Sequence, residues 1–191
     1  MKHGKNIHPF LTKKLLDMKY DFRPYINPVF IETGSYVGDG IQGALNSGFQ
    51  KVISIEIAEY YYEWCKKRFH GDSRVTMHLG NSVDVLPFVL GEINEKCTFW
   101  LDAHFCGGYT KFGPKRIPIL EEIAIIGAHP IKGHTILIDD MRAVQHGFEG
   151  DGWNDITIDE IKETILAIDP NYKITFIYGM VENDILVAQL C

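Results

Sequence analysis

No apolar run in this 191-residue chain is long enough to span a bilayer. The opening segment MKHGKNIHPF also lacks the apolar stretch that a secretory leader needs. The expectation is therefore a soluble, cytoplasmic protein with no membrane partner. Cysteine is sparse. The four residues Cys65, Cys97, Cys106 and Cys191 include no C-x-x-C pair, which argues against common zinc and redox patterns and leaves reduced thiols as the expectation. Positive charge is short as well: 19 Lys and Arg face 25 Asp and Glu, for a formal charge of −6. A chain that binds nucleic acid through its backbone needs a basic face, so nucleic acid is not the expected partner, although KKRF and KFGPKR remain as local basic patches. Repeats, low-complexity tracts and linker-like stretches are all missing. The reading is one domain over residues 1–191, with 1–27 as a helical N-terminal extension.

What is present alternates. After Pro9, Phe10, Leu11, Leu15 and Met18 recur at helical spacing and predict a leading helix. PVFIET then reads as a buried strand, GIQGALNSG as a helix stopped by Gly48, and KVISIEI as a second strand. AEYYYEWCKKRF reads as a helix supported by a Glu63–Lys67 pair. RVTMHLG follows as the third strand, SVDVLPFVL as a short helix despite Pro87, and CTFWLDA as the fourth strand. IPILEEIAIIGA is helical with Pro118 in its first turn, and GHTILIDD is the fifth strand. Thr157 and Glu160 mark a capping box, flanked by an Ile156–Ile161 staple, for a helix that ends near Ala167. The last two strands, YKITFIYG and NDILVAQL, are close enough to form a hairpin. Five βα units imply a parallel sheet with helices on both faces, closed by one antiparallel strand. In such α/β sheets ligands bind beyond the carboxyl ends of the strands. That places Glu32-Thr33-Gly34, Glu56, Gly80-Asn81-Ser82, Asp102-Ala103-His104 and Asp139-Asp140 at the ligand edge.

These five strand-end segments, ETGSYVGDG, SIEI, LGNS, WLDAH and LIDDM, resemble in order and spacing the motifs of the class I S-adenosylmethionine-dependent methyltransferases. The resemblance covers roughly residues 28 to 190. It implies a doubly wound Rossmann-like sheet of seven strands in the order 3-2-1-4-5-7-6, with strand 7 antiparallel. It also implies S-adenosyl-L-methionine as cofactor. Glu32, Thr33, Gly34, Ser35 and Gly38 would then surround its methionine and ribose end, Glu56 and Ile57 its ribose, and Asn81 and Ser82 its adenine. The family usually carries Asp where Asn81 stands. Glu32 is expected to lie near the cationic end of the cofactor, where a pyrophosphate would be repelled. The glycines fall as G-x-x-x-G-x-G, which misses the G-x-G-x-x-G of nicotinamide dehydrogenases. DAHF is also not the [DN]-P-P-[YFW] of base N-methylating enzymes.

Asp102 ends the fourth strand, and Asp139 and Asp140 end the fifth. Neighbouring strands lie about 4.8 Å apart, so three carboxylates are expected to crowd one point. A hard divalent cation, Mg²⁺ or Mn²⁺, relieves that conflict. The arrangement resembles the metal-dependent O-methyltransferases of the catechol, caffeoyl-CoA and macrocin types, which implies metal ligation by Asp102, Asp139 and Asp140. Without a metal, Asp102 can instead hold the cofactor's amino group or the substrate, and either residue of the pair can cap a turn. His104 and His146 are candidates for the base, with His104 preferred for its tie to the fourth motif. The resemblance adds Lys111 in the same loop. The loops after the fourth and fifth strands read as lids, in which Phe105, Tyr109, Phe148 and Trp153 either stack on an acceptor ring or fasten the lid to the body. The function expected is metal-assisted O-methylation of a vicinal diol, on a sugar or glycan. The alternatives are a small catechol-like acceptor or a non-catalytic cofactor-binding module. The sequence leaves open whether the chain assembles as a homo-oligomer.

Overall fold

The computed structural model describes residues 20–104, 109, 111–146 and 152–190. The predicted leading helix lies outside these, as do Phe105, Cys106, Phe148 and Cys191. The strands are β1 (Val29–Thr33), β2 (Val52–Glu56), β3 (Val75–Leu79), β4 (Cys97–Leu101), β5 (Thr135–Ile138), β6 (Lys173–Ile177) and β7 (Ile185–Gln189). They form one sheet in the order β3-β2-β1-β4-β5-β7-β6. β7 runs antiparallel to both β5 and β6, and the other pairs are parallel. The helices are α1 (Asp39–Ser47), α2 (Glu59–Arg68), α3 (Ser82–Gly91), α4 (Ile119–Ala128), α5 (Met141–His146) and α6 (Ile158–Ile168). Fold class, strand order and the direction of β7 are as the sequence reading expects.

Side chains alternate across a strand, and the two cores follow that alternation. Val29 and Ile31, Phe99 and Leu101, Ile136 and Ile138, and Leu186 and Ala188 join a cluster with Leu86, Ile123, Ile161 and Ile165 from α3, α4 and α6. Phe30, Trp100, Leu137 and Val187 point the other way and join Ile41 and Ala44 of α1, Cys65 of α2, and Phe22. The same rule decides where two polar residues of β1 go. Glu32 shares the α1 side with Phe30, while Thr33 shares the α4 side with Ile31.

Local signals hold with small shifts. Gly48 caps α1 in the left-handed conformation at φ 106°, donating to the carbonyls of Ala44 and Leu45. Thr157 and Glu160 form the capping box: the Glu160 N–H donates to Thr157 Oγ1 at 3.2 Å and the Thr157 N–H donates to Glu160 Oε2 at 2.8 Å. Pro87 is tolerated on the exposed side of α3, where solvent can serve the carbonyl four residues earlier. Glu63 pairs with Lys66 at 3.3 Å rather than with Lys67, one of the two spacings that face each other on a helix. Pro118 stands just before α4 instead of inside its first turn. The segment after β5, read as a long loop, begins as the helix α5.

Candidate functional site

The strand order brings the tips of β1, β2, β4 and β5 to one edge, and a cavity of about 460 Å³ opens there. Its walls are Gly34 to Val37 after β1, Glu56 and Ile57 at β2, Gly80 to Ser82 after β3, and Asp102 to His104 after β4. Asp140 and Arg142 close the β5 side, and Lys111, Phe112, Gly113, Lys115 and Arg116 come from the segment before α4.

The loop after β1 is shaped by two glycines for different reasons. Gly34 has φ 83°, and a Cβ there would collide with the backbone carbonyl of Asp102. Only glycine lets the tips of β1 and β4 approach this closely. Gly40, in the first turn of α1, leaves room for the carboxyl of Glu32, since a Cβ would overlap Glu32 Oε1. Between them a hydroxyl chain ties the loop to the floor. Ser54 Oγ donates to Glu32 Oε2 at 2.5 Å, so the Ser35 hydroxyl, 2.5 Å from Ser54 Oγ, is left to donate to it. Glu32 is 1% exposed. Burial raises its pKa well above the ordinary carboxylate value, the Ser54 hydrogen bond opposing, with Asp102, Glu56 and Asp39 adding to the rise. Its carboxyl lies beneath the loop, biased toward the protonated form, and is no part of the cavity wall, which corrects the expectation of a carboxylate facing the cofactor's cationic end.

Glu56 does reach the wall. Its Oε2 accepts the Tyr36 N–H at 2.9 Å and its Oε1 accepts the Ala58 N–H at 2.7 Å. Burial raises its pKa, with these main-chain donors pulling the other way. The N–H groups of Ser35 and Ile57 pull the same way as those two donors. Asn81 lines the cavity and precedes α3, its amide donating to Asp84 Oδ2 at 3.0 Å.

At the β4 and β5 tips the acids do not simply crowd. His104 stands between two of them, with Nδ1 3.3 Å from Asp102 Oδ1 and Nε2 3.0 Å from Asp140 Oδ2. Burial alone would lower the pKa of His104, but the hydrogen bonds and charges of both carboxylates outweigh it and hold the pKa well above 6.5. Arg142 lies on the other side, 2.5 Å from Asp140 Oδ1 and 2.5 Å from Asp184 Oδ2. Asp140 reaches both cations because its backbone takes the left-handed conformation at φ 61°, which Asp tolerates better than most residues. The acids that called for a metal thus have basic partners within the chain, the His104 ring and the Arg142 guanidinium. The potential ligand atoms of Asp102, His104 and Asp140 lie within 4.8 Å of one another, while Asp139 gathers instead with Asp140 and Asp184. Asp139 is 1% exposed and outside the cavity wall, so the expected trio does not form as one set.

No protein-family model and no curated protein matches the sequence. Solved structures do. An O-methyltransferase from Bacillus cereus in complex with SAH aligns over 98% of this chain and 84% of its own, at 15% identity and a TM-score of 0.66. The O-methyltransferase TomG of Streptomyces achromogenes, involved in tomaymycin synthesis and in complex with SAM, aligns over 98% and 82%, at 16% identity and 0.61. The SAH-bound methyltransferase PaMTH1 of Podospora anserina aligns over 97% and 80%, at 12% identity and 0.61. The chain has the class I methyltransferase fold.

Within that methyltransferase fold, Gly34, Ser35, Glu56, Ile57, Asn81, Ser82, Asp102, His104, Lys111 and Asp140 line the cavity. Thr33 is buried toward α4, and Gly38 packs on the side chains of Phe69 and Cys65 rather than facing the cavity. His146 is exposed at the end of α5, carried away by the helix that the sequence reading took for loop, and it is absent from the wall. Trp153 is 3% exposed and rests against the His104 ring with centroids 5.2 Å apart, so it backs the site instead of offering a face to a ligand.

Three residues of the site escaped the sequence reading. Arg142, two places after the Asp pair, is the cation that partners it. Asp184, directly before β7, is fully buried and also accepts the Met180 N–H at 2.8 Å. Glu122 falls at the core spacing of Ile119, Ile123 and Ile126, a signal that a charge sits on an apolar face. It is wholly buried next to Thr33 and Ser82, and burial, partly offset by those hydroxyls, pushes its pKa up to about 7. Neither of its oxygens, nor Thr33 Oγ1 or Ser82 Oγ, completes a hydrogen bond of good geometry. The four atoms therefore interact at best weakly.

Proposed function

We propose that this chain is an S-adenosylmethionine-dependent O-methyltransferase that methylates one hydroxyl of a vicinal diol on a sugar-like acceptor. The observation that carries this reading is His104, held between Asp102 and Asp140 at one end of a cavity whose other walls are the β1, β2 and β3 tips. The residues present suit the cofactor. Glu56 sets a carboxylate in the wall where ribose hydroxyls can reach it, Gly34 allows close backbone approach, and Asn81 offers an amide at the adenine end. When bound, S-adenosylmethionine supplies a methyl group already activated on a sulfonium.

The chain's own residues supply positioning and proton transfer. Asp102 and Asp140 flank the imidazole, so two neighbouring hydroxyls find an acceptor on either side. His104 takes the proton of the attacked hydroxyl through its neutral form, which the two carboxylates disfavour, and the same carboxylates stabilise the imidazolium that results. Trp153 fixes the ring from behind, and Arg142 holds Asp140 in place through Asp184. Lys111, in the wall, is the second candidate for a proton acceptor.

A metal-assisted version is supported by the grouping of Asp102, His104 and Asp140. Two carboxylates and one imidazole suit Mn²⁺ as well as Mg²⁺, and a cation held by these three would lower the pKa of a bound hydroxyl. Calorimetric titration of S-adenosylmethionine with and without Mn²⁺, followed by a transfer assay on sugars, polyols and catechols, tests both versions. Transfer to a sugar diol that survives chelation supports the His104 mechanism, and transfer restored only by Mn²⁺ supports the metal. Cofactor binding without transfer to any acceptor leaves a binding module, and no cofactor binding refutes the proposal.

A further inference from the structure

Helix α2 turns Tyr61 and Cys65 inward, yet its outer face carries two large rings that the core does not use. Tyr60 is 56% exposed and Trp64, one turn later, 51%. Tyr109 comes across from the segment after β4 and stacks on Tyr60, with centroids 5.3 Å apart and planes 25° from parallel, while remaining 73% exposed itself. These rings line a groove whose remaining wall is polar: Glu59 and Glu63 on one hand, Lys67 and Lys111 on the other. Lys111 belongs equally to the wall of the cavity at the strand tips. A line of ring contacts joins the two places, since Tyr36 of the cavity wall meets Tyr61 at 4.6 Å and Tyr61 meets Tyr60 at 5.1 Å. The groove and the cavity thus share Lys111 as a common wall residue.

We propose that this groove binds a neutral oligosaccharide, as a subsite for sugar residues beyond the one that enters the cavity. The inference rests on the sugar-acceptor reading above and deepens it: the acceptor is the end of a chain. The chemistry favours that occupant. A pyranose has a face of C–H groups, slightly positive, and an edge of hydroxyls. The negative faces of Tyr60, Trp64 and Tyr109 suit the first, and the carboxylates and ammonium groups beside them suit the second. The two acids and two lysines cancel, so the groove exerts no net pull on a polyanion such as single-stranded nucleic acid, which would need a basic track beside its stacking rings.

Trp64 is a built-in reporter. The sequence has three tryptophans, and the other two, Trp100 and Trp153, are 0% and 3% exposed. Tryptophan emission is followed while the full chain, without cofactor, is titrated with neutral hexasaccharides of glucose, mannose and N-acetylglucosamine, and separately with a single-stranded oligonucleotide. The expected result is saturable quenching by at least one hexasaccharide, with Kd on the order of 0.1–1 mM. Weakening by at least about tenfold is expected in Tyr60→Ala, while the calorimetric affinity for S-adenosylmethionine stays the same. No saturable change with any hexasaccharide, a stronger response to the oligonucleotide, or masking of Trp64 by self-association in sedimentation would each overturn the proposal. Hexasaccharide binding without methyl transfer would keep the groove and remove the enzyme reading. Methyl transfer to a free monosaccharide without groove binding would do the reverse.

Discussion

Glu122→Gln is expected to stabilise the protein in a way that depends on pH. Glu122 is fully buried on α4 with a pKa raised from 4.5 to about 7. Between those values the folded chain holds a proton that the unfolded chain has released, so stability falls as pH rises through this window and levels off above it. The shift of roughly 2.5 units, at 1.36 kcal/mol per unit, amounts to about 3 kcal/mol at pH 8, of which about 0.8 kcal/mol has already gone by pH 5. The glutamine amide has nearly the same shape, remains neutral and can donate to the hydroxyl of Thr33 or Ser82. Its advantage over wild type should therefore grow by about 2.5 kcal/mol from pH 5 to pH 8, or about 5–10 °C in Tm for a chain of this size. Urea denaturation of both proteins at half-unit pH steps, with equal m-values, measures it. Parallel stability curves would refute the reasoning, because they would mean that Glu122 titrates alike in the folded and unfolded chains.

His134 should act with the opposite sign. It is 2% exposed, and burial, reinforced by the neighbouring His129, pushes its pKa down to about 4. The stability tied to its neutral form is complete above about pH 6.5 and is lost as pH falls toward 4, by up to about 3 kcal/mol, a loss that His134→Gln should not show in acid titration of the unfolding midpoint. Gly40→Ala drives a methyl group into the carboxyl of Glu32 and should cost about 1–3 kcal/mol by urea denaturation, an unchanged midpoint counting against the contact. His104→Ala should lower turnover by roughly 10²–10⁴-fold in a radiolabelled methyl-transfer assay while calorimetry shows cofactor affinity within about twofold of wild type; full turnover would remove His104 from the mechanism. Asp184→Ala leaves Arg142 with one partner and a buried vacancy, and should destabilise by about 3–5 kcal/mol, with a thermal shift near zero as the contrary result.

The fold was legible because each strand announces itself as a β-branched or aromatic run, all but the last ended by a glycine or an acid, and each helix by spacing or caps. The tips that line the cavity followed from strand order alone. What stayed hidden depended on which way a side chain faces. Glu32 sits one residue from Thr33 and two from Gly34, and no local pattern shows that alternation sends its carboxyl under α1 instead of into the cavity. Asp139 and Asp140 are adjacent in sequence, yet the left-handed turn at Asp140 separates their roles. From the sequence His104 is the preferred candidate base in a loop after the fourth strand. Its two carboxylate partners come from strands whose tips are 38 residues apart in sequence, Asp102 and Asp140, and they favour its cationic form. Arg142 and Asp184 are 42 residues apart, and only the insertion of β7 beside β5 brings them together.

That insertion has a consequence for how the molecule is made. β7 comes after β6 in the chain but takes the place between β6 and β5. A growing polypeptide therefore carries β5 as an open edge, with Arg142 lacking the Asp184 carboxylate that steadies it, until residues 184–189 have been synthesised. The geometry around Asp140 then locks only when the final strand slots in. Incomplete chains would display a sticky sheet edge to quality control rather than a half-formed site.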